Sequence, residues 1–121
     1  MNHAFFIWSG EVNDGDFFHT CLKSLQNISN CKISVYTPKL DTGTTLLKSM
    51  GINVVKFDRK EWDDRRQVCK VEKIREHLYS LNKDDYMMVF DGDMFMVSNP
   101  FEVFEKDFDF FYTSIQIGSH M

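Results

Sequence analysis

Two aspartates two residues apart, Asp91 and Asp93, stand directly behind the apolar run Tyr86–Phe90 and in front of a second one, Met94–Val97. On an extended chain, residues i and i+2 point to the same side. Two carboxylates arranged in this way converge on one hard divalent cation, Mg²⁺ or Mn²⁺, and Gly92 between them permits a turn and a close ligand approach. Such a cation takes its remaining ligands from water and from phosphate oxygens. Carboxylates at the end of a buried strand need partners, because desolvating an unpaired ion is costly. The plain alternative is a solvated Asp-Gly turn. The position directly after five apolar strand residues favours the metal.

A second group of residues fits the same chemistry. Arg66, Lys70, Lys73 and His77 recur at i, i+4, i+7 and i+11, one stripe of a helix. That stripe suits a diphosphate opposite the metal, with Lys70 nearest the apolar edge. A solvated face, with Glu72 and Glu76 offsetting the charge, is the alternative. The chain has no G-x-G-x-x-G and no G-K-[ST], which argues against a nicotinamide enzyme and a P-loop NTPase. His3, His19 and His77 are scattered and read as satisfied side chains rather than metal ligands. Cys21, Cys31 and Cys69 form no C-x-x-C pair and read as reduced thiols in the core of a cytoplasmic protein. Trp8 and Trp62 suit stacking on a base or sugar, although burial is the commoner use of Trp.

The elements that must position these groups follow from periodicity. His3–Trp8 is an apolar strand closed by Ser9-Gly10, and Asp14 is a candidate N-cap. Phe17, Phe18, Cys21, Leu22, Leu25 and Ile28 then recur at helical spacing. Lys32–Thr37 is a second strand closed by Pro38. Leu46, Leu47 and Met50 predict a short helix stopped by Gly51. Ile52–Phe57 is a third strand. The spacing predicts a long helix over 64–81, with Val68, Val71, Ile74, Leu78 and Leu81 on its buried face. Tyr86–Phe90 is the fourth strand and Met94–Val97 a short fifth. Asn99-Pro100-Phe101-Glu102 opens a helix, and Phe108–Ser114 is a last strand. This alternation is an α/β pattern with a mainly parallel sheet and right-handed crossovers. Ligands of such sheets bind outside the carboxyl ends of the strands. Ser9-Gly10, Asp58 and Asp91-Gly92-Asp93 are therefore expected on one edge.

The 121 residues fit one domain, taken as 1–117. Gly118-Ser119-His120-Met121 matches the remnant of a cleaved expression tag and is set apart from functional reasoning. A net charge of −4 argues against a nucleic-acid partner. No apolar run reaches the ~20 residues of a membrane helix, so no integral membrane segment is expected. The amino terminus has no basic region ahead of its short apolar run, so no signal peptide is expected in it.

Two stretches carry a family resemblance. "NDGDFFHTCLKSL" looks like the first helix, and "KIREHLYSL...YMMVFDGDMFMVSNPFEVF" the helix, strand and D-x-D passage, of GT-A-type glycosyltransferases of the glycogenin-like and capsular-sugar transferase group. The resemblance covers most of 3–114, with Gly92 where Ala is commoner. It implies a three-layer Rossmann-like nucleotide-diphospho-sugar transferase fold. By this resemblance Asp93 binds the metal on the donor diphosphate, and Asp91 binds the metal or the ribose beside Gly92. Lys73 would contact the nucleotide, and Ser9, Gly10, Phe57 and Asp58 would line its pocket.

The implied reaction moves a sugar from a nucleotide-diphosphate donor, preferably a UDP-sugar, to a hydroxyl of a glycan or other acceptor. Mn²⁺ or Mg²⁺ would neutralise the leaving diphosphate, and Lys73 or Lys70 would add positive charge. Family members carry further chain after the D-x-D half, for the acceptor and a third metal ligand. A missing carboxyl-terminal half, a minimal member or a homo-oligomer is expected to account for the difference. A non-catalytic nucleotide-sugar-binding module is the alternative. A haloacid-dehalogenase-type phosphatase also uses D-x-D after an apolar strand, but Phe95 and Met96 depart from its signature.

Overall fold

The computed structural model describes residues 1–9, 15–90 and 99–105. In chain order these form β1 (Asn2–Ile7), α1 (Gly15–Ile28), β2 (Lys32–Thr37), α2 (Thr42–Ser49), β3 (Asn53–Lys56), α3 (Arg59–Asp64), α4 (Arg66–Ser80), β4 (Tyr86–Phe90) and a 3-10 helix, Pro100–Glu105. The strands make one sheet in the order β3-β2-β1-β4, parallel throughout. The expected α/β class with a parallel sheet flanked by helices is what the chain adopts, and it is compatible with a Rossmann-like fold.

Two hydrophobic clusters follow from strand alternation. Ala4, Phe6 and Trp8 of the first strand segment pack with Phe18, Leu22 and Leu25 of α1 and Leu47 of α2. Phe5 between them faces the other way, with Tyr36, Phe57, Trp62 and Cys69. A period of two thus divides one strand between both cores. The sheet order explains the division. Going from β1 to β2 to β3 moves the chain one way across the sheet, and going to β4 moves it back past β1. With right-handed crossovers, the helices of the return leg must cover the opposite face.

Local signals set the element ends. Asp41 caps α2: its Oδ1 accepts from the Thr44 amide at 3.0 Å, and the Thr44 hydroxyl accepts from the Asp41 amide at 2.8 Å. Gly51 ends that region at φ +81°, a backbone conformation costly for a side chain. The Asn99 side chain accepts from the Phe101 amide at 3.0 Å at the start of the 3-10 helix.

The predicted helix over 64–81 is α4, Arg66–Ser80, and a short helix that periodicity did not predict, α3, precedes it. Asp58 caps α3, its Oδ1 accepting from the Lys60 amide at 3.0 Å, so helical structure begins at Arg59, five residues before 64. Arg65, at φ −144° and ψ 54°, breaks the path before α4. The buried face is also corrected. Val68, Val71 and Leu78 are 44%, 63% and 50% exposed, whereas Cys69 and His77 are buried. The helical period was legible but its phase was not. Specific polar partners decide the phase: Tyr36 for His77, and Glu61 for Lys73. The strand ends differ slightly too, with β1 ending at Ile7 and β3 spanning Asn53–Lys56.

No helix among the described residues is long and apolar enough to cross a membrane. Gly10, Asp14, Asp91, Gly92 and Asp93 lie outside the described residues, as do the predicted strands over 94–97 and 108–114.

Candidate functional site

All four strands point one way, so their carboxyl ends share one edge. The strand order reverses between β1 and β4, which makes that point the switch of the sheet. The last pair of their register is Phe6 with Phe90. Asp91 is the next residue in sequence after Phe90.

An aromatic column holds this position. Phe6 stacks on Phe90 at 5.3 Å between ring centroids and meets Phe18 edge-on at 5.8 Å. Phe90 in turn meets Phe101 edge-on at 6.1 Å, and Trp8 stacks on Phe18 at 5.1 Å. Contacts of this kind add to area burial by about 0.5–1.5 kcal/mol each. The rings tie β1, β4, α1 and the 3-10 helix together beneath the switch point. Trp8 and Trp62 are spent on burial rather than on an open stacking face.

Ser9 and Asp58, two of the predicted site residues, are brought to this edge. Arg59, the residue after Asp58, reaches across to Ser9: its Nη1 donates to the Ser9 carbonyl at 3.0 Å, and its Nε lies 3.4 Å from Asp63. Arg59 is a residue the sequence reading missed. The signal was present, since it follows Asp58 directly after the third strand and carries a planar set of donors suited to oxyanions.

Phe57 is buried, against Trp62 at 5.8 Å between centroids. Lys73 lies over its ring at 5.7 Å, and Arg66 lies over Trp62 at 4.8 Å. The Lys73 side chain is only 12% exposed and pairs with Glu61 at 3.6 Å and Glu76 at 3.5 Å. Burial pulls its pKa down, but Glu76 and then Glu61 outweigh burial, and the net shift is upward. Lys73 thus stays charged, and two carboxylates already neutralise it. Lys70 is half-buried on the same helix.

The cysteines are free thiols, with Cys21 and Cys69 buried. Burial raises the Cys31 and Cys69 thiols, which opposes nucleophilic use. Among the described residues no group of three or more His, Cys, Asp or Glu side chains could hold a metal ion.

The histidines are engaged one by one, as expected. His19 Nε2 hydrogen-bonds the Gly43 carbonyl at 3.0 Å. His3 Nε2 pairs with Asp85 at 3.2 Å, and the terminal amine reaches the other oxygen of Asp85 at 3.3 Å. His77 Nδ1 shares a 3.0 Å hydrogen bond with the Tyr36 hydroxyl. The fold also does what spacing did not announce: it brings the His3 and His77 rings to 6.3 Å, at the amino edge of the sheet.

Burial, and secondarily the neighbouring His3, lower the His77 pKa. A lowered pKa for a base means that the unfolded chain takes up its proton first as pH falls. The contribution is therefore complete above the unfolded value of about 6.5 and is lost as pH falls through the folded value. Urea midpoints are expected to drop between pH 7.5 and 5, with a slope of at most about 1.4 kcal/mol per pH unit from this one proton. His77→Gln is expected to flatten that slope; an unchanged slope would assign it to other groups.

No protein-family model matches the chain, and no match is found among curated proteins.

Proposed function

We propose that the chain is a metal-dependent glycosyltransferase of the GT-A type, using a nucleotide-diphosphate sugar, preferably a UDP-sugar. One observation carries the reading. The strand that ends immediately before Asp91-Gly92-Asp93 pairs with β1 at the point where the strand order reverses. That is where open α/β sheets bind their ligands. The three free thiols fit a reducing compartment, and we assign the chain to the cytoplasm.

Asp91 and Asp93 supply an all-oxygen donor pair, the type that Mg²⁺ and Mn²⁺ accept. Water and donor phosphates are the natural remaining ligands of such an ion. When bound, the ion offsets charge on the leaving diphosphate. The chain's own residues do the positioning. Asp91 and Asp93 orient the diphosphate, and Ser9, Gly10, Gly92 and Asp58 form the walls of the donor site. Phe57, being buried, supports the wall from beneath rather than stacking on the base.

Positive charge on the leaving group is better assigned to Arg59 than to Lys73 or Lys70. Arg59 is half-exposed at the Ser9 edge and has five donors, two of them directed at Ser9 and Asp63. Lys73 could reach a phosphate only by leaving Glu61 or Glu76.

The test is turnover. With Mn²⁺ and a panel of UDP-sugars, release of UDP is expected, and it should rise with a suitable hydroxyl acceptor. Saturable donor binding with no release would make the chain a nucleotide-sugar-binding module. Hydrolysis of phosphate monoesters with an acyl-phosphate trapped on Asp91 would overturn the reading in favour of a phosphatase.

A further inference from the structure

A cleft of about 440 Å³ opens at the opposite edge of the sheet, where β1, β2 and β3 begin. Its volume lies within the usual ligand-site range of about 300–1,000 Å³. His3, Gln26, Lys32, Ser34, Asn53 and His77 are among its lining residues, and no Asp or Glu is among the described residues that line it. In a chain with a net charge of −4, a described lining whose one permanently charged side chain is Lys32 favours negative ligands. Neutral polar groups complete it. Gln26 Nε2 donates to the Met50 carbonyl at 2.8 Å, and Asn53 Nδ2 donates to the Ser34 hydroxyl at 3.3 Å.

His77 adds an independent sign. It is 6% exposed, and its Nε2 is buried with no partner among the described residues. A buried polar atom left unpaired is costly, and protonation would add an N–H there with no acceptor. The groups facing it are His3 from β1, Tyr36 from β2 and, through His3, Asp85 with the terminal amine. Lys32 and Cys31 line the same cleft from the start of β2, and its own helix carries Arg66, Lys70, Glu72, Lys73, Arg75 and Glu76, of which Lys73 and Glu76 pair at 3.5 Å. The two carboxylates in this set are already engaged, Asp85 by the terminal amine and His3, and Glu76 by Lys73 at 3.5 Å.

We propose that this amino-edge cleft is a second ligand site, which takes a small oxyanion beside Lys32, His3 and His77. Nε2 of His77 is screened from solvent, so His77 acts through its charge rather than by direct contact. Anion and proton binding are then linked. The anion favours the charged imidazoles, and the charged imidazoles tighten the anion, by the same factor in each direction. This site is independent of the carboxyl-edge reading above.

Sulfate is the probe, because it stays fully ionised across the range in which histidine titrates. Its binding is followed by the ring resonances of His3 and His77, with chloride at matched ionic strength as reference. His19, bonded to Gly43 elsewhere in the fold, is the internal control. The expected result is a saturable shift of His3 and His77 but not of His19, roughly tenfold tighter at pH 5.5 than at pH 8. Lys32→Glu, at an exposed strand end, is expected to weaken it by about tenfold or more. A response equal at all three histidines, one that fails to saturate, or one unaffected by Lys32→Glu would overturn the proposal.

Discussion

Phe6→Ala is expected to cost ~3–5 kcal/mol of folding stability, the range for truncating a buried aromatic. Phe6 is 1% exposed and joins two elements at once, stacking on Phe90 of β4 and meeting Phe18 of α1 edge-on. Removing its ring leaves a void between the strand that ends at the switch point and the helix beneath it, and void volume adds to the lost transfer energy. Against a typical total of about 5–15 kcal/mol, such a loss takes about a fifth or more of the stability. Phe6→Leu keeps apolar volume and is expected to cost distinctly less. Urea unfolding measures both. A loss below about 1 kcal/mol for the alanine variant would show that the aromatic column does not hold the sheet at this point.

Asp93→Ala is expected to weaken Mn²⁺-dependent binding of a UDP-sugar by at least about a hundredfold, since losing even an outer partner of a metal ligand costs about 10–100-fold. The substitution removes one of the two carboxylates that follow Phe90. Asp93→Asn keeps one neutral oxygen donor and is expected to lie between. Unchanged far-ultraviolet dichroism would show that the fold survives, so that lost binding reports on the site. Equal affinity in wild type and Asp93→Ala would remove Asp93 from the metal.

The sheet was legible because its strands are short apolar runs bounded by turn residues. Lys32–Thr37 and Tyr86–Phe90 were read to the residue. Gly51 likewise marked the end of α2 correctly, since its positive φ is the reason for glycine there. The orientation of α4 was not legible. Counting apolar residues selects Val68, Val71 and Leu78, yet these are exposed, and the helix turns Cys69, Lys73 and His77 inward. Lys73 goes inward because Glu61, from the separate helix α3, and Glu76 together meet its charge. A pairing across the break between two helices at Arg65 leaves no periodic trace. For the same reason the Arg59–Ser9 hydrogen bond, spanning 50 positions, escaped the sequence reading. The shared edge for Ser9 and Asp58 was foreseen from strand order alone, because parallel strands leave no other arrangement.

The central claim is that the carboxyl edge at the β1–β4 switch holds a metal-bound nucleotide diphosphate. Calorimetric titration of the chain with UDP-sugars, with Mn²⁺ and again with chelator, tests it most directly. The account predicts saturable one-to-one binding that requires the metal and disappears with chelator. Absence of heat and of saturation for every nucleotide sugar tried, with Mn²⁺ and with Mg²⁺ alike, would contradict it.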